Sequence, residues 1–239
     1  MSNLQFPSDH PRIILAVDTS QTQASFAISC GSKIITSLQG VDPIPHSKVF
    51  FNLLSVLLKD AGLELAEIDL FSAAIGPGSF TGLRVGLSAI KGLSHSLGKQ
   101  AVGVSSLDAT SLTSSVSGKV LALIDAGRGE FYAGLREVSS HKTLIPLGKD
   151  TIGPLPEVVK LLNQYMMEMP LTIVRKGGIG DESLSEHLNH FLNYRLESAP
   201  SISAEEIAIY VDRNFNNSLG FGLHPYYIRP SDAEMKRVS

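Results

Sequence analysis

Ile13 to Val17 is an unbroken run of apolar, mostly branched residues that stops at Asp18-Thr19-Ser20. That is the pattern of a strand buried on both faces, carrying a carboxylate to its tip. Ser25 to Cys30 and Lys33 to Leu38 follow as two strand patterns joined by Gly31-Ser32, the short glycine-bearing connection of a tight hairpin. The period then alternates, predicting a helix over 46–60, a strand over 69–75, a helix over 80–97 and a strand over 101–104. Three meandering strands followed by strand-helix alternation predict an α/β fold with a mixed sheet flanked by helices.

The opening pattern returns in the second half. Leu15-Ala16-Val17-Asp18 is echoed by Ala122-Leu123-Ile124-Asp125, and each is followed by another strand pattern. Two such starts predict a duplicated, two-lobed protein. The chain then divides into a loose extension (1–11), an N-terminal lobe (12–112), a reduced C-terminal lobe (113–230) and a solvated tail (231–239). In the second lobe the pattern is sparser: a strand at Leu171 to Val174, the turn Gly177 to Gly180 and a helix from Asp181. Ser203 with Glu206 forms a capping box opening a helix to about Phe215, and Pro225 to Arg229 reads as extended.

Both helices of the first lobe carry more apolar surface than one face holds. In His46 to Asp60, the residues Val49, Phe50, Phe51, Leu53, Leu54, Val56, Leu57 and Leu58 surround almost the whole cylinder, whereas a surface helix needs an apolar arc of little more than 100°. In the second helix Gly82, Gly86 and Ala89 share a stripe, at a cost of about 1 kcal/mol for each glycine against alanine. Its opposite side is apolar too, with Leu83, Leu87, Ile90 and Leu97. Two readings fit: helices enclosed by their own chain, or helices covered by a second protein.

Gly76-Pro77-Gly78-Ser79-Phe80-Thr81-Gly82-Leu83-Arg84-Val85-Gly86 sits directly between a strand and a helix. Ser79 or Thr81 can cap that helix, whose free N–H groups would face an anion, so Asp18, Gly76, Gly78, Ser79 and Thr81 form a candidate anion or nucleotide loop. A plain turn and cap fits as well. Leu83 and Arg84 follow Gly82 where a Walker A loop has Lys and Ser or Thr. Ser79 lacks the flanking glycines of a nucleophile elbow, so no catalytic residue is assigned. Asp18 and Asp125 are either turn caps or carboxylates of the kind that hold magnesium in actin-like ATPases and sugar kinases. His187 and His190, three apart on the helix from Asp181, read as solvent-exposed, and no metal-ligand set is found.

A net charge of −3 leaves no global basic field to hold a polyanion, so any RNA contact would need a partner's surface. A lone cysteine, Cys30, excludes an internal disulfide. Pro7, Asp9, His10 and Pro11 interrupt the N-terminus, which carries no signal-peptide core, and no stretch reaches membrane-spanning length. These features predict a cytoplasmic protein.

IILAVDTS at 13–20, His46, GPGSFTGLRVG at 76–86, VSSLDA at 104–109, DAGRGEFY at 125–132 and PYYIRPSDAE at 225–234 together resemble the TsaB (YeaZ) family. The related catalytic paralogue TsaD carries a similar glycine-proline-glycine stretch together with a metal-binding HxxxH motif, which the seven histidines of this chain do not form. The resemblance implies a two-lobed actin-like (ASKHA) fold. It implies a non-catalytic role in making N6-threonylcarbamoyladenosine on tRNA, beside a TsaD-like catalytic subunit and a TsaE-like ATPase. No cofactor would be the chain's own; ATP and magnesium would be used by the complex, tRNA met only through it, and a homodimer formed when alone. Family members meet their partner through a helical bundle, so the expected contact set is His46, Val49, Phe50, Phe51, Leu53, Leu54, Leu57, Gly82, Arg84, Val85, Gly86, Ala89, Ile90 and Leu93. The alternative is a stand-alone ASKHA-type ATPase or sugar-kinase-like phosphotransferase.

Overall fold

The computed structural model describes residues 11–40, 46–162, 171–177, 184, 194–199, 203–215 and 222–229. Most of the extension at 1–11, Gly178 to Gly180, the expected helix from Asp181 with His187 and His190, and the tail at 231–239 lie outside the described residues.

The first sheet has the order β3-β2-β1-β4-β5, built from β1 (Ile13–Asp18), β2 (Ser25–Cys30), β3 (Lys33–Gln39), β4 (Leu70–Gly76) and β5 (Gln100–Ser105). β2 runs antiparallel to both β1 and β3, while β4 is parallel to both β1 and β5. The unbroken apolar run of β1 has its reason here, because both faces are covered. Leu15 and Val17 join Phe26 and Phe71 under α1 (His46–Ala61) and α2 (Phe80–Ser96). Ile14 and Ala16, on the opposite face, meet a C-terminal helix at Ala204, Ile207, Ala208 and Val211.

The second sheet has the order β11-β10-β6-β7-β8, with β9 pairing β7. Its strands are β6 (Gly118–Gly127), β7 (Glu130–Val138), β8 (Leu144–Pro146), β9 (Thr151–Pro154), β10 (Leu171–Lys176) and β11 (Tyr194–Ser198). β6 repeats the position of β1: it is antiparallel to the strand after it and parallel to a later one, β10. α3 (Ser106–Leu112) is wholly buried, and Leu107 packs on Ala122, Ile124 and Tyr132 of this sheet. α4 (Leu155–Leu162) covers Leu121, Leu123 and Leu135.

One element crosses the expected boundary. α5 (Ser203–Asn214) belongs by sequence to the second lobe but packs against β1 and β2 of the first sheet. Its capping box also forms differently, because the Ser203 hydroxyl turns to Asp18 Oδ2 while Ser25 Oγ accepts the Ala204 N–H at 3.2 Å.

Candidate functional site

Two of the expected features meet at the tip of β1. Asp18 is 1% exposed, and both of its carboxylate oxygens are committed. Oδ1 accepts the Ser20 N–H at 2.8 Å; Oδ2 accepts Lys176 Nζ, from β10, at 2.9 Å and the Ser203 hydroxyl. Burial pushes this carboxyl upward, but the Lys176 ammonium and the hydrogen bonds from Ser20 and Ser203 outweigh it and hold the group at about 2. With both oxygens taken by groups of its own chain, Asp18 here ties the β1 tip to β10 and to the helix that starts at Ser203. Asp125, its counterpart on β6, is exposed and receives the Gly127 N–H on Oδ1 at 2.7 Å. Among the described residues no group of three or more His, Cys, Asp or Glu could hold a metal ion.

The glycine-rich segment is shaped by its own chain. Gly76 closes β4, and a Cβ there would lie 2.7 Å from the Tyr226 carbonyl oxygen. A Cβ on Gly78 would lie 2.3 Å from the Ser20 carbonyl oxygen, the same atom that accepts the Ser79 N–H at 2.7 Å. Ser79 caps α2 by accepting the Gly82 N–H at 3.2 Å. One turn further, a Cβ on Gly86 would stand 2.2 Å from Thr19 Oγ1. Gly86 thus lets Thr19 at the β1 tip press into α2 and, buried there, has no surface to offer a second protein.

The segment at 222–229 straps the two sheets together. Tyr226 N–H donates to the Ile75 carbonyl at 2.7 Å, and the Tyr227 ring stacks on Phe80 with centroids 4.0 Å apart. Arg84 lies over the Phe80 ring at 4.4 Å. Arg229 reaches the second sheet, donating to the Ala126 carbonyl at 3.0 Å and to Glu130. Beneath the strap, the Ser20 loop, the α2 N-terminus, Asp125 and Arg229 enclose a cavity of about 470 Å³.

On its other side lies a cavity of about 630 Å³ whose lining includes an ion cluster that sequence reading missed. Arg136, 3% exposed, donates from Nε to Asp108 Oδ1 at 2.6 Å, and from Nη1 and Nη2 to Asp150 at 2.7 and 3.0 Å. Burial pushes the Asp108 carboxyl up despite Arg136. Asp108, Arg136 and Asp150 come from α3, β7 and the loop before β9, so no local pattern marks them.

The expected partner contacts separate into three groups. Phe50, Leu54, Leu57, Gly82, Gly86 and Ile90 are buried in the chain's own core and leave the contact set. Val49, Leu53, Val85, Ala89 and Leu93 are half-buried, and Arg84 is exposed. Phe51 is 61% exposed, and Val56, outside the expected set, is 50% exposed. The side chain of His46 lies outside the described residues. Phe51 is also anchored from behind, edge-on to Phe50 at 5.3 Å between centroids.

Two mixed sheets, duplicated in topology and closed over a central cleft, define a protein of the actin-like ATPase fold. Residues 9–191 match the family described as TsaD: tRNA N6-adenosine threonylcarbamoyltransferase. A Pseudomonas aeruginosa protein with similarity to peptidase YEAZ superposes with a TM-score of 0.74 at 21% identity, over 91% of this chain and 100% of that one. The tRNA threonylcarbamoyladenosine biosynthesis protein TsaB of Escherichia coli is 30% identical over 150 residues, 61% of this chain and 64% of its own length. An uncharacterized protein of Mycobacterium leprae is 36% identical over 124 residues, 50% of this chain and 34% of the relative. The matched stretches thus span less than two thirds of these curated relatives' lengths. The chain belongs to the TsaD family, as a member of its TsaB (YeaZ) group. Among the described residues no helix is long and apolar enough to cross a membrane.

Proposed function

We propose that this chain is a non-catalytic subunit of the assembly that makes N6-threonylcarbamoyladenosine at position 37 of tRNA, where it binds and supports a TsaD-like catalytic subunit. The observation that carries this reading is the wet apolar ridge of α1. Phe51 and Val56 are exposed by half or more on a helix that already buries Phe50, Leu54 and Leu57; they flank that buried stripe on its two sides, and Val49 and Leu53 of α1 and Val85, Ala89 and Leu93 of α2 are half-buried. Large apolar side chains left wet on a helix already packed on its own sheet support a protein contact. The likeness to TsaB proteins supports the choice of partner. The commitment of both Asp18 oxygens to Ser20, Lys176 and Ser203 supports a structural role for that carboxylate.

In this reading a TsaE-like ATPase joins the same assembly, ATP and magnesium are consumed by the complex, and tRNA is met through it. The exposed ridge also serves a homodimer when the chain is alone, and the assembly works in the cytoplasm. The test is reconstitution: purified TsaC-, TsaD- and TsaE-like proteins with tRNA, with and without this chain. Modified adenosine should form only when the chain is present, and equal yields without it would overturn the proposal.

A further inference from the structure

We propose that the cavity on the α3 side of the C-terminal strap binds a small primary amine with an apolar body, its ammonium seated on Asp108. This goes beyond the partner reading and does not rest on it. The cavity, about 630 Å³, is of a size that encloses a small organic molecule. Ile75, Pro146, Pro225 and Tyr226 give it apolar and aromatic walls, and Asp108, Arg136 and Asp150 meet in its lining.

That ion cluster is one positive charge short. Arg136 faces two carboxylates, with side chains 3% exposed at Arg136, 12% at Asp108 and 7% at Asp150. Its donors are shared unevenly. Asp150 receives Nη1 and Nη2 on its two oxygens, at 2.7 and 3.0 Å, whereas Asp108 receives Nε alone, on Oδ1 at 2.6 Å. Asp108 Oδ2 accepts no hydrogen bond among the described residues. A buried carboxylate whose charge is only partly compensated is costly, and a cation brought into the cavity would satisfy it. Burial pushes the Asp108 carboxyl up, and Asp150 across the cluster adds to the push, against the pull of Arg136. Lys149 and His224 also line the cavity, but both are exposed, and Lys149 pairs with neither carboxylate.

One open oxygen selects a point donor. A guanidinium binds best across both oxygens of a carboxylate, and Arg136 already holds one of them, whereas a compact ammonium needs a single acceptor. A calcium or magnesium ion needs several oxygen ligands, and both Asp150 oxygens are on Arg136. An anion would meet the net negative charge of the cluster. The walls of Ile75, Pro146, Pro225 and Tyr226 then offer burial to the carbon chain that carries the amine.

n-Pentylamine and pentan-1-ol, which share a carbon chain and differ in charge, are titrated separately into the full chain and followed by protein NMR. The amine should shift the amides of Asp108, Asp150 and Tyr226 and bind about tenfold or more tightly than the alcohol. Asp108→Asn keeps the shape of the side chain and removes its charge, so it should lower amine affinity by about tenfold and leave the alcohol as it was. Lys149→Glu alters an exposed residue on the cavity wall, should raise amine affinity by about threefold, and provides the check if Asp108→Asn misfolds. Silence toward the amine, equal binding of amine and alcohol, full amine affinity in a folded Asp108→Asn chain, or no gain in Lys149→Glu would overturn the assignment.

Discussion

Lys176 on β10 holds its ammonium 2.9 Å from Asp18 Oδ2 at the tip of β1, joining the two sheets through a pair of charges whose side chains are 9% and 2% exposed. Removing one partner strands the other's charge in a buried site. Lys176→Ala should therefore destabilise the chain by about 3 to 5 kcal/mol in urea denaturation. The double variant Lys176→Met, Asp18→Asn should recover a large part of that loss, because no uncompensated charge remains. Equal losses in the single and double variants would contradict the pairing.

The same pair sets an acid limit. The Asp18 carboxyl sits at about 2 in the folded protein, below the usual carboxylate value near 3.9. A lowered carboxyl contributes stability that is fully present above its unfolded value and is lost as pH falls through the folded one. Stability should accordingly decline between about pH 4 and pH 2 by roughly 2 kcal/mol from this group. Asp18→Asn should flatten that part of the profile, measured by denaturation midpoints across the range.

Gly86 reports on the fold and not on a partner. Even a methyl group there would stand 2.2 Å from Thr19 Oγ1, so Gly86→Ala should cost about 1 to 3 kcal/mol by overpacking. Thr19→Ala in the same chain should return part of the loss, since it removes the oxygen in closest conflict. An unchanged melting temperature in Gly86→Ala would contradict this packing.

Local periodicity made much of the fold legible. The two-sided burial of β1, the hairpin about Gly31-Ser32, both long helices and the helix opened at Ser203 all announce themselves within a few residues. What the period cannot say is what covers each apolar arc. Phe50 meets Phe26 of β2 edge-on at 5.0 Å, so much of the apparent excess on α1 belongs to its own sheet. Gly86 of α2 answers Thr19 and Gly78 of the loop before it answers Ser20, residues that a linear reading places far away. The ion clusters were invisible for the same reason. Asp18 and Lys176 are 158 residues apart, Asp108 and Arg136 are 28 apart, and only the closed fold brings either pair together. The short strands β8 and β9 and the helix α4 lie in a stretch whose pattern is too brief to read.

The claim that the ridge of α1 is the docking surface is tested most directly at Phe51. Phe51→Asp places a charge on a side chain 61% exposed, where substitution should change stability by about 0.5 kcal/mol or less. Co-purification with a TsaD-like partner should then fall by about thirtyfold or more, the loss expected for a central aromatic contact, while the melting temperature stays the same. Undiminished capture of the partner by a correctly folded Phe51→Asp variant would contradict the account.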